Sequence, residues 1–328
     1  MLEYGSTMAS IDPKIQSRLI RDLEPVVAVE LDRHIATTKD WYPHEYVPWS
    51  EGRDFAGPLN GDAWEAKDSK LTTVAQDSLV LNLMTEDNLP SYHTEIALSM
   101  GRDGAWNTWI NRWTAEEARH SIVLRDYLMA TRGVDPNELE DLRMAHMQVG
   151  YETPYDNDML HTVAYVSFQE LATRISHRNT GRISNDAVCE GMLARVALDE
   201  NLHMLFYRNL LGAAIELEPN AAMVAIKDVV TNFQMPGAGM PGWGRKSVQI
   251  ALAGIYDLDL HLNDVVQPVL RAWNLFEVTG LNADGETARN ELAAWLDQAA
   301  ADVEKFNEKR EHHFERLVAR GQEPLRLK

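Results

Sequence analysis

The stretches WTAEEARHSIVL (residues 113–124) and VALDENLHMLFY (residues 196–207) carry the same device: two adjacent acids, then a histidine three places past the second acid. On an α-helix a spacing of three turns a side chain by about 300° and raises it by about 4.5 Å. Glu117 and His120 therefore point the same way, and so do Glu200 and His203. With 11 His in 328 residues, about one glutamate in thirty has a histidine at this spacing by chance. A single copy would read as a solvated helix face. Two copies need another explanation.

The surroundings supply it. Glu86 lies 31 residues before Glu117, and Glu170 lies 30 residues before Glu200. Both lone glutamates sit in apolar helical stretches, where an unpaired carboxylate is expensive. Glu86 and Glu170 are 84 apart, Glu117 and Glu200 are 83 apart. The chain thus repeats a helix pair, each pair offering one lone glutamate and one Glu-x-x-His. Set about a pseudo-twofold axis, four glutamates and two histidines meet between four helices, the arrangement of ferritin-like di-iron and di-manganese carboxylate proteins. Four carboxylates balance two divalent ions, and oxygen donors with one nitrogen per metal suit iron or manganese. The preceding acids, Asp199 and Glu116, are expected to accept the second ring proton of His120 and His203 respectively, each from the opposite half. Thr173, three after Glu170, is expected to turn its hydroxyl toward the metals or the cavity. Pro90 removes the donor for the Glu86 carbonyl and predicts a kink in that helix.

The rest of the chain agrees with an all-α reading. Apolar residues recur at three and four in LTTVAQDSLVLNLM, LHTVAYVSFQELATRISH and EGMLARVALDENLHMLFYRNLLGAAI, and strand signals are nearly absent. Asp135 and Pro136 read as N-cap and first turn of a helix. NTGRISND separates the helix of Glu170 from that of Glu200, and QMPGAGMPGWG (residues 234–244) reads as an irregular loop. Helices resume on both sides of VTGLNADGETA. The expectation is one ferritin-like domain over residues 1–328, its four-helix di-metal bundle padded by additional helices, with 1–10 and 321–328 as flexible tails.

Composition narrows the class. A net charge of −19, from 31 basic and 50 acidic residues, argues against a general nucleic-acid binder. The single cysteine, Cys189, permits no intrachain disulfide and no Cys-rich metal site. No secretory leader and no apolar run long enough for a membrane span is visible, so the expected setting is the cytoplasm.

In order along the chain, TEDNLPSYHT, WTAEEARHS, SFQELATRISHRNT, DENLH and VTGLNADGETA resemble the soluble acyl-carrier-protein desaturases, the plastid stearoyl type and their mycobacterial relatives. The resemblance runs from about Trp41 to about Ala288. It implies a homodimer with two iron ions per subunit, manganese substitution being conceivable. It also implies insertion of a double bond into a fatty acyl chain held on acyl carrier protein, with O₂ and electrons from ferredoxin or a similar donor. The family's ligands fall on Glu86, Glu117, His120, Glu170, Glu200 and His203, its threonine on Thr173 and its electron-entry tryptophan on Trp41. Leu98, Ser99, Thr162 and Val163 fall on its tunnel lining. The chain departs from the plant members at Asp87, where they have a second glutamate, and at Asn201 and Leu202, where they have basic residues. Lys14, Arg18, Arg21, Arg33 and Lys39 are the cations expected to meet an acidic carrier. Two other classes share the metal pattern. A radical-generating reductase subunit needs a tyrosine beside the metals, and Tyr127 is the nearest along the helix of Glu117. An iron-oxidising or iron-storing protein is normally much shorter.

Overall fold

The computed structural model describes residues 11–151, 155, 158–235 and 242–327. The expected tail at residues 1–10 and the centre of the Gly/Pro-rich loop, 236–241, lie outside them. Twelve helices follow in order: α1 (Pro13–Thr37), α2 (Thr73–Asp87), α3 (Leu89–Ser99), α4 (Gly104–Ala130), α5 (Pro136–Val149), α6 (Met159–Ile183), α7 (Ala187–Leu217), α8 (Pro219–Asn232), α9 (Trp243–Leu252), α10 (Leu258–Leu260), α11 (Gln267–Ala272) and α12 (Ala283–Ala319). A π-helical turn, His261–Val266, joins α10 to α11. Among the described residues there is no strand, only an isolated bridge between Phe55 and Asp62, and no helix is long and apolar enough to cross a membrane.

Local chemistry sets the helix starts. Asp135 accepts the N–H of Asn137 at 2.8 Å with Pro136 behind it, as its sequence predicts. Asp186 caps α7 through Val188 N–H at 2.8 Å. Helix α6 runs on through Asn179 to Ile183, so the separation expected across residues 179–186 narrows to the turn before α7. Its close approach to α7 depends on Gly181, where a Cβ would stand 3.0 Å from Glu190 Cα. Pro90 does more than kink its helix. The chain stops at Asp87, turns at Asn88 and restarts as α3 with Pro90 in the first turn. The last segment is anchored: Leu327 N–H donates to Ala253 O at 2.9 Å and its side chain packs on the core.

Helices α2, α4, α6 and α7 form the central bundle, with α6 and α7 its most extensive pair. The apolar core is divided in two. One cluster joins the first halves of α4 and α6 to the second half of α7, with α1, α8 and α12 around it. The other joins α2, the second half of α4 and the first half of α7, with α9 against them. Between them lies a buried polar layer. Leu83, fully buried on α2 one turn before Glu86, anchors the second cluster. Replacing Leu83 by Ala is expected to lower the unfolding free energy by about 2–5 kcal/mol, read from denaturant titration.

Candidate metal centre

The polar layer contains the six residues whose spacing drew attention. Glu86 comes from α2, Glu117 and His120 from α4, Glu170 from α6, Glu200 and His203 from α7. Ligating atoms of Glu86, Glu117, His120 and Glu200 lie within 4.8 Å of one another, and so do those of Glu117, Glu170, Glu200 and His203. Glu117 and Glu200 belong to both groups. All six side chains are buried.

Their inward atoms lack ordinary partners. Glu117 Oε1, Glu170 Oε2, Glu200 Oε1, His120 Nδ1 and His203 Nδ1 are buried without a well-formed hydrogen bond, although His203 Nδ1 stands 2.7 Å from Glu117 Oε1 and His120 Nδ1 3.3 Å from both Glu117 and Glu200. Orphaned buried acceptors are costly and rare. A pair of divalent cations between the two groups would satisfy all five at once, so the donor set fits such ions. Burial pushes the Glu117 and Glu170 carboxyls up, reinforced by Glu200 beside the former and Glu117 beside the latter. For Glu86 and Glu200 burial acts the same way, but the neighbouring imidazoles of His120 and His177 win and hold both down. Burial pulls His120 and His203 down, while the surrounding carboxylates, Glu117 first, raise both well above the usual imidazole range. The cluster therefore retains protons that a cation would displace.

The outward atoms are held by a further tier. Glu116 Oε2 lies 3.0 Å from His203 Nε2, the pairing expected from sequence. Asp199 is placed less tightly than expected: its Oδ2 is 3.6 Å from His120 Nε2, beyond hydrogen-bond reach. It instead accepts from Trp41 Nε1 at 2.7 Å and pairs with Arg195 and Arg119. Burial pushes the Asp199 carboxyl up, but His120 and Arg195 bring it below its ordinary value. Trp41 is buried, stacked parallel to His120 with ring centroids 6.4 Å apart, and carries the Arg119 guanidinium over its face at 5.0 Å. Thr173 Oγ1 lies 2.8 Å from Glu200 Oε2 and 3.0 Å from Glu170 O. Both are acceptors, so one hydroxyl proton is divided between a candidate ligand and its own helix.

Several participants escaped the sequence reading. His177 Nε2 sits 2.8 Å from Glu86 Oε1 and 3.5 Å from Glu200 Oε1; burial lowers its pKa, but Glu200 and Glu86 raise it to about 9. Seven residues past Glu170, it lies on the same helix face, a signal the sequence does contain. Trp113 Nε1 donates to Glu170 Oε1 at 3.0 Å. Tyr127, the tyrosine singled out on α4, donates to Asp186 in the second apolar cluster. Tyrosines near the centre include Tyr207, four residues past His203 and fully buried, its phenol raised by burial and then by Glu170.

A partly open cavity abuts the centre on one side. Glu86, Glu117 and Glu170 line it together with Tyr92, Ile96, Trp113, Tyr165 and Val166. Of the four residues expected to line a tunnel, Thr162 does so. Ser99, which accepts the Thr162 hydroxyl at 3.0 Å, and Val163 are buried in the packing behind it, and Leu98 is 45% exposed on the outer side of α3. A replacement of His177 by Phe leaves Glu86 and Glu200 each short of a donor, and is expected to cost about 1–3 kcal/mol of stability. Thermal unfolding of the His177→Phe and His177→Gln chains measures it, with the glutamine recovering part of the loss.

Comparisons with known proteins agree with this geometry. A family model described as fatty acid desaturase matches residues 16–320. The Mycobacterium tuberculosis chain assigned as acyl-[acyl-carrier-protein] desaturase DesA1 is 48% identical over 312 residues, covering 93% of this chain and 92% of its own. Palmitoyl-[acyl-carrier-protein] 4-desaturase 3 of Ophrys sphegodes, a chloroplastic protein, is 30% identical over 274 residues, 77% of this chain and 67% of its own. The X-ray structure of the acyl-carrier-protein desaturase homologue DesA2 from Mycobacterium tuberculosis superposes with a TM-score of 0.67 at 29% identity, covering 79% of this chain and 96% of that one. With a ferritin-like helical fold and a family match over nearly its whole length, the chain belongs to the fatty acid desaturase family.

Proposed function

We propose that this protein is an O₂-dependent desaturase acting on a fatty acyl chain carried as a thioester on acyl carrier protein, with two iron ions held by Glu86, Glu117, His120, Glu170, Glu200 and His203. The observation that carries the reading is the set of five inward-facing carboxylate and imidazole atoms without a well-formed hydrogen bond, beside a cavity walled in part by apolar and aromatic side chains. Bound iron supplies the oxidising power that removing hydrogen from an unactivated methylene demands and that no side chain possesses. Manganese in place of iron is compatible with the same donors.

The chain's own residues do the remainder. Leu89, Ile96, Val166 and Trp113 supply hydrocarbon contacts, and burying methylenes against them excludes water and fixes which carbons lie beside the carboxylates. Trp113 holds Glu170, and Thr173 and His177 hold Glu200 and Glu86, so the donors stay in place as a substrate enters. Trp41 links the half-buried Arg119 at the rim to Asp199 beside His120, and is our candidate for electron entry from ferredoxin or a similar reductant. A homodimer is part of the same reading.

The carrier face needs revision. Arg18 is paired with Glu218, Arg21 with Asp22 at 2.9 Å and Arg33 with Glu30 at 2.6 Å. Three of the five cations expected to meet an acidic carrier are thus already neutralised on this chain, which leaves Lys14 and Lys39 of that set.

Metal analysis of the purified chain is expected to give two iron ions per polypeptide, with stoichiometric loading lost in Glu117→Ala and in His203→Ala. Full di-iron loading in both variants would contradict the ligand set. Because the cluster holds protons that a cation displaces, Fe(II) binding is expected to release protons and to weaken as the pH falls from about 8 to about 6. Calorimetry in buffers of different ionisation enthalpy counts those protons. Incubation with acyl-carrier thioesters, reductant and O₂, followed by mass-spectrometric location of a double bond, tests the reaction. Turnover on free fatty acid or acyl-CoA alone would remove the carrier from the proposal.

A further inference from the structure

Helix α1 bears none of the six candidate ligands, yet it delivers a buried histidine to the centre. His34 is fully buried, and its Nε2 lies 2.8 Å from Glu116 Oε2. That oxygen is also the one 3.0 Å from His203 Nε2. The two imidazole rings lie nearly parallel, centroids 5.7 Å apart, and Trp109 closes against His34 edge-on at 5.0 Å. The other oxygen of Glu116 takes Arg112 Nε at 2.5 Å, with Arg119 3.8 Å away. Helix α7 sends no cation here, since the residues between Glu200 and His203 are Asn201 and Leu202.

From this geometry we infer that His34 is a positioning residue for the candidate metal centre: it fixes Glu116, and Glu116 fixes His203. The inference rests on the metal reading above. Glu116 Oε2 has an imidazole Nε2 on either side, and a carboxylate oxygen only accepts, so both rings present Nε2–H to it. For His203 that leaves Nδ1, which faces Glu117 and Glu170 at 2.7 and 3.7 Å, as the atom a cation would take once it displaces the proton there. For His34 the Nε2–H tautomer leaves Nδ1 bare, in agreement with its lack of any hydrogen bond. Arg112 lies at the half-exposed rim and grips only Oε1. Without His34, Oε2 keeps one donor, the carboxylate is free to rotate toward the two arginines, and His203 loses its fixed orientation. The Asp199 side has no such dependence, because Trp41 and Arg195 hold that carboxylate.

Titration of the full-length chain with Co(II) by calorimetry, together with the Co(II) ligand-field spectrum, tests this. The wild-type chain is expected to take two ions. His34→Phe is expected to keep one at wild-type affinity and to weaken the other by about 10–100-fold, with altered bands for that ion only. His34→Gln, whose amide N–H reaches the same oxygen, is expected to recover most of the loss. Far-UV thermal unfolding of each variant reports folding, and the glutamine variant keeps the test open if phenylalanine destabilises the chain. Two ions bound by His34→Phe as by wild type, or equal weakening of both ions, would overturn the role of His34. A wild-type chain that binds no divalent ion would overturn the metal reading itself.

Discussion

The structure is organised around one costly act: placing four carboxylates and two imidazoles, all buried, in the middle of a helical bundle. Isolated charges in such a setting are prohibitive. Their cost is limited here because they are concentrated in one layer between two apolar clusters, where Glu86, Glu170, Glu200 and His203 each find a hydrogen-bond partner outside the six. Inward, the same side chains present bare atoms to one another. The fold thus holds most of these groups from outside and leaves their inner atoms in a set that fits cations.

That outer tier explains elements which the four ligand-bearing helices alone do not require. Helix α1 crosses α4 and α7 and contributes His34, while the segment after it brings Trp41 down onto His120. The two histidines of the candidate centre are consequently braced by different means. His120 faces an aspartate caught between an indole N–H and two guanidiniums, whereas His203 faces a glutamate caught between a second imidazole and Arg112. The internal repeat is pseudo-symmetric in its candidate ligands and asymmetric in their support, so the two halves of the cluster are chemically distinct.

The clustering of the six residues was legible because its signal is local. A spacing of three on a helix defines one face whatever the tertiary context, and its recurrence after 83 residues made coincidence implausible. Helix placement and the Asp135 cap followed from equally local rules, and the Glu116–His203 pair from the internal repeat. What escaped reading depends on where elements cross. His34 has no sequence relation to Glu116, and Arg195 meets Asp199 as an ordinary helical neighbour with no sign that the pair is buried. His177 and Tyr207 were readable, seven past Glu170 and four past His203, but a search confined to Glu-x-x-His and to α4 passed over both. The tunnel residues failed for a geometric reason. Breaking the helix at Asn88 re-aims α3, turning Leu98 outward and leaving Thr162 of α6 at the cavity wall.

The break at Asn88 also bears on what the cavity can accept. Had α2 continued straight, its next turns would have carried on along the bundle axis. With the restart at Leu89, α3 instead presents Leu89, Tyr92 and Ile96 at helical spacing to the space beside Glu86. Glu86 thus stands where the bundle wall ends and the cavity begins, with Glu117 and Glu170 facing the same space from α4 and α6. Three of the four carboxylates border the cavity, while Glu200 is turned toward Thr173 and His177 on the other side. An apolar chain lying in the cavity would meet the centre across its carboxylate edge, with both imidazoles behind. Selectivity for a carbon position is then a matter of how far the chain can advance past Tyr92 and Tyr165, a property of wall shape and not of the metal-binding residues.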